Sequence, residues 1–83
     1  MIQDYKVTFR TWILRHKLNK DTPIGDLARD IQSDINFPST YEYSEMMGYL
    51  NYKQACREAK IAFRCAYTQY RVYLNRISYF KQI

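Results

Sequence analysis

The 83 residues are 47% hydrophobic, 17% aromatic and 25% charged, with nine tyrosines but only two glycines and two prolines; such a chain is neither disordered, which goes with few aromatics, nor all-β, which needs many tight turns. Its net charge of +5 is uneven: residues 1–50 hold six basic and seven acidic side chains, net −1, and residues 51–83 hold seven basic and one acidic, net +6. The length fits one domain, residues 1–83, with a radius of gyration of roughly 12 Å, and no apolar run is long enough to span a membrane.

Helical periodicity begins early. Tyr5, Phe9, Trp12, Ile13 and His16 fall on one helical face and predict a helix from about Asp4 to His16. Leu18 to Asp21 reads as a loop. Thr22 or Asp21 can cap a second helix, with Pro23 tolerated in its first turn because its missing N–H would be unpaired there. Ile24, Leu27, Ala28, Ile31 and Ile35 form its apolar stripe, and Asp26, Arg29, Asp30 and Ser33 its solvated side. Asn36 and Pro38 end it, and Phe37 plugs the core. Ser39-Thr40-Tyr41-Glu42 matches a capping box and predicts a third helix with Tyr43, Met46, Met47 and Leu50 inside and Gly48 outside. Asn51 followed by Gln54 is a weaker start signal for a fourth helix from Tyr52 to about Ser78. Its inner face carries Ala55, Ala59, Ala62, Phe63, Ala66, Tyr70, Tyr73 and Ile77. The fold class is therefore all-α, four main helices with a long last one.

The series Phe9, Trp12, Asp21, Ile24, Ala28, Ile31, Asp34, Phe37-Pro38, Tyr43, Met46, Tyr49-Leu50, followed by Ala55, Phe63, Ala66 and Tyr70, resembles the YozE-like small bacterial proteins. Its sharpest part is the Asp34…Phe37-Pro38 turn. The resemblance spans about residues 7–70 and implies a sterile-alpha-motif-like (SAM-like) bundle. It implies fold and not activity, and it supplies no catalytic residues. The basic extension over about residues 68–83 lies outside it.

The chemistry of an enzyme is hard to assemble from these residues. A metal site needs several converging His, Cys or carboxylate ligands, and there is one histidine. His16, at the end of the first helix, suits a packing or helix-terminus role. Cys56 and Cys65 are too far apart along one helix to pair. Both read as reduced thiols, with Cys56 in a packing role. Gly25 and Gly48 are isolated, so no phosphate loop exists. Asp26, Asp30 and Asp34 recur every four residues and read as a solvated acidic face, partly neutralised by Arg29 and Lys20. These features imply no enzyme, cofactor, metal or small-molecule substrate. With no spanning segment and no leader at Met1–Lys6, the expected location is the cytoplasm.

One constellation remains. Lys53, Arg57, Lys60, Arg64 and Arg71 fall within about 60° of one another on the fourth helix, opposite its apolar face. Tyr67 borders them and could meet a sugar or base. Such a row can neutralise several phosphates of a nucleic acid without base specificity, or meet an acidic protein partner. The second reading includes a regulatory domain encoded on a mobile element. The competing reading is a merely solvated face, although solvated faces usually mix signs. Finally, Tyr73, Leu74, Ile77, Tyr79 and Phe80 overhang the other helices. They are expected to pack on the first helix near Val7 and Trp12 in a monomer, or to pair with a second chain as a weak homodimer.

Overall fold

A computed structural model describes the backbone of residues 7–82 and the side chains of residues 7–76. Four α-helices follow one another: α1 (Phe9–Ile13), continued by a tighter turn at Leu14–His16, then α2 (Pro23–Ser33), α3 (Tyr43–Tyr52) and α4 (Arg57–Gln82). Among the described residues there is no strand. The molecule measures 42 × 26 × 19 Å with a radius of gyration of 13.1 Å. Its long dimension is set by α4, whose 26 residues span about 39 Å.

The first helix starts at Phe9 and not near Asp4. Thr8 is extended and its hydroxyl accepts the Thr11 N–H at 3.3 Å, so the chain enters the helix there. Asp4 and Tyr5 lie outside the described residues. The second helix starts as its sequence predicts: Thr22 Oγ1 accepts the Gly25 N–H at 3.0 Å, and Pro23 occupies the first turn. Gly25 is required for packing, since a Cβ there would stand 1.8 Å from the Asn19 carbonyl oxygen. Arg29 is half-buried and not simply solvated. It donates to the carbonyls of Lys17 at 2.8 Å and Asn19 at 3.3 Å and pairs with Asp26, closing the α1–α2 loop.

Asp34 turns the chain from α2 into α3. Its backbone carbonyl accepts from Phe37 N–H at 3.1 Å and Arg10 Nη1 at 2.9 Å. One carboxylate oxygen accepts the Asn36 N–H at 3.1 Å, the other the Tyr49 hydroxyl at 2.7 Å. That hydroxyl is the main reason the Asp34 carboxyl sits below its usual range. The helix consequently stops at Ser33. Asp34 leaves the acidic face of Asp26 and Asp30, and Ile35, expected on the buried stripe, is 84% exposed. The capping box at Ser39 does not form either. Thr40 O accepts the Phe9 N–H and Tyr41 O accepts the Tyr67 hydroxyl. Residues 39–42 are thereby tied across α1 and α4, and α3 begins at Tyr43.

One aromatic core joins the helices. The Phe9 ring meets Phe63 at 5.2 Å and Tyr70 at 5.4 Å, both edge to face, with Trp12 at 5.8 Å and Phe37 at 6.4 Å around it. Ile13, Leu27, Ala28, Ile31, Met46, Leu50, Ala62 and Ala66 complete it. Ile24, expected in the core, sits half-buried against it, and Ala59, also expected there, is half-buried as well. The described part of the overhang packs within the chain: Tyr73 lies 6.3 Å from the Trp12 ring, and its hydroxyl accepts from Arg15 Nη1 at 3.0 Å. Tyr70 is fully buried and donates to the Val7 carbonyl at 2.6 Å. The side chains of Ile77, Tyr79 and Phe80 lie outside the described residues.

Candidate anion-docking surface

The surface begins with how α4 starts. The periodic pattern predicts one helix from Tyr52 onward, but the chain breaks between Lys53 and Cys56. The N–H of Ala55 reaches the Leu50 carbonyl at 2.9 Å and that of Gln54 the Asn51 carbonyl at 3.0 Å. This nested pair is a Schellman ending for α3, with Gln54 in the left-handed region at φ 58° where glycine is usual. Cys56 then offers its carbonyl to the Lys60 N–H at 3.2 Å, and α4 proceeds from Arg57. Cys56 is exposed and not a packing residue. Cys65 is exposed as well, and both thiols are free.

With Ala62, Phe63, Ala66 and Tyr70 buried, the opposite side of α4 faces solvent. Arg57, Arg64 and Arg71 are exposed on it and Lys60 is half-exposed. From Arg57 to Arg71 the row covers about 21 Å. Among the described residues the only ion pair is Arg29–Asp26, so no carboxylate of the described chain neutralises this row. Two expected members are elsewhere. Lys53 belongs to the end of α3, its ammonium 5.9 Å from the centre of the Tyr49 ring. Tyr67 is half-buried: its ring meets Tyr43 at 5.2 Å and Tyr70 at 5.6 Å, and its hydroxyl is spent on Tyr41 O. Only a minor part of its surface remains outward.

Apolar side chains border the charges. Ile61 is 45% exposed and Val72 48% exposed, displaced by about 70° on average from the arginines around α4. Two shallow depressions meet along Ile61 and Cys65. The first, of about 510 Å³, is lined by Arg57, Lys60, Arg64 and Thr68 besides these two. The second, of about 560 Å³, runs between α4 and the start of α2 over Pro23, Ile24, Ala62 and Gln69, with His16 and Glu58 at its edges. His16 sits against Trp12, ring centres 4.9 Å apart, and its Nδ1 lies 3.2 Å from Asn19 Nδ2. This is the packing position expected of it.

Among the described residues, no three His, Cys, Asp or Glu side chains converge as a metal site would need. Nor is any described helix long and apolar enough to cross a membrane. No curated protein and no solved structure matches the chain. A family model described as YozE SAM-like fold matches residues 8–72, a span that takes in α1, α2, α3, the Asp34–Phe37 turn and most of α4, and the chain belongs to that family.

Proposed function

We propose that this chain is a non-enzymatic binding module whose outer α4 face docks an acidic segment of a partner protein. The observation that supports the reading is the pairing of an unneutralised row, Arg57, Lys60, Arg64 and Arg71, with the exposed apolar Ile61 and Val72 beside it. Opposite charge steers a partner into register, and apolar area beside the charges holds it after the charges have met. A single-stranded nucleic acid favours a different surface, with aromatic rings on which bases stack, and Tyr67 faces inward here.

Fluorescence anisotropy separates the two partners. The probes are a helical peptide of glutamate and leucine, about 14 residues long to span the row, and a duplex DNA of comparable charge. The expected result is tighter binding of the peptide, with part of its affinity surviving between about 50 and 200 mM salt because apolar contact is not screened. Binding of the duplex alone, with a log–log salt slope near the value of about −3.6 for four engaged phosphates, would replace this reading by nucleic-acid binding.

A further inference from the structure

We propose, on the basis of that docking reading, that the trough between α4 and the start of α2 seats the apolar side chains of an amphipathic helix whose carboxylates pair with Arg57, Lys60 and Arg64. The two depressions share the Ile61–Cys65 ridge. A rod lying along that ridge therefore has cations on one side of it and apolar carbon on the other. Going around α4, Arg64, Arg57, Ile61 and Cys65 stand at successive steps of about 20° to 40°. An amphipathic helix with its acidic and apolar residues on adjoining faces reproduces that order in mirror sense. An extended acidic chain would satisfy the arginines and leave Ile61 and the outer part of half-buried Ile24 in water. Charge complementarity thus fixes the sign of the occupant, and the trough fixes that it is amphipathic. Glu58, the first trough residue along α4, repels carboxylates at that end. The occupant's acidic residues are accordingly confined to the arginine flank.

The probe is the same glutamate–leucine peptide, used on two preparations. One is the Cys56→Ser protein alkylated at Cys65 with N-ethylmaleimide, which places bulk on the ridge at an exposed position. The other is the unmodified protein titrated with a peptide whose leucines are replaced by serine. Both should bind about tenfold more weakly or worse, the order of one buried leucine side chain, with the helical circular dichroism of the alkylated protein unchanged. If alkylation and the serine peptide both leave affinity intact while Arg57→Glu with Arg64→Glu removes it, the trough is unused and the inference falls, although docking on the row stands. If the double reversal also leaves affinity intact, docking on α4 falls with it. The serine-peptide arm needs no altered protein, so a folding defect in the alkylated sample cannot shelter the proposal.

Discussion

On its inner face α4 places Phe63 and Tyr70 against the Phe9 ring, with Tyr70 also against Trp12 and with Ala62 and Ala66 in the same core, and every one of these residues is buried. On its outer face the same helix carries Arg57, Arg64, Arg71, Ile61 and Val72, all exposed. The inner residues meet partners from α1, α2 and α3, so substitutions there act on folding. None of those outer side chains forms an ion pair with another described residue, so substitutions there leave folding almost untouched. A cationic and apolar face with so little structural duty is where binding can be encoded without cost to the fold.

The largest expected effect breaks the inner face. Phe9→Ala removes the ring around which Phe63, Tyr70, Trp12 and Phe37 are arranged and should cost about 3–5 kcal/mol. A domain of this size holds about 4–12 kcal/mol in all, so urea denaturation should show a large fall in midpoint or an unfolded variant.

A smaller change tests how α1 is fastened to α4. Tyr70→Phe deletes the hydroxyl that donates to Val7 O and should cost about 1–2 kcal/mol. Burial holds the Tyr70 hydroxyl's pKa up at about 12, against an ordinary 10.0. The folded state keeps this proton after the unfolded chain has lost it. The contribution is complete below pH 10 and disappears as pH rises through about 12. Stability measured from pH 9 upward should therefore fall more steeply in the parent than in Tyr70→Phe. Tyr49, raised by its bond to Asp34, acts in the same sense in both proteins and cancels in the difference.

The start of α4 gives the next effect, of opposite sign. Gln54 holds a left-handed conformation at φ 58°, which a residue without Cβ adopts freely. Gln54→Gly should stabilise the protein by up to about 1 kcal/mol, seen as a higher thermal midpoint. A loss of stability would show that the Gln54 side chain contributes more than its backbone strain costs.

The inner face was legible in the sequence because burial imposes a period: Phe63, Ala66 and Tyr70, or Leu27, Ala28 and Ile31, can be read off at helical spacing. Thr22 with Pro23 was legible because a cap and a tolerated proline are local chemistry. The break before α4 was not. Ala55 and Ala59 keep the helical period across it, no glycine or proline marks it, and Gln54 gives no signal that it will turn left-handed. The periodic pattern therefore places Lys53 on a helix it does not join. Ser39 failed as a cap, and Ile35 as a core residue, for a related reason. Asp34, Thr40 and Tyr41 are held by groups distant in sequence, namely Arg10, Tyr49, Phe9 and Tyr67, and such ties override local preference. The site was legible as charge alone. That Tyr67 turns inward and that Ile61 borders two depressions depend on how α2 and α3 lie against α4.

The separation of the two faces is tested most directly in one protein, Arg57→Glu with Arg64→Glu, by recording its thermal unfolding and its binding of the glutamate–leucine peptide side by side. The account predicts unfolding within about 0.5 kcal/mol of the parent, the usual range for exposed sites, together with loss of peptide binding by at least about tenfold, or about 1.4 kcal/mol. Undiminished binding in a protein that unfolds as the parent does would contradict it.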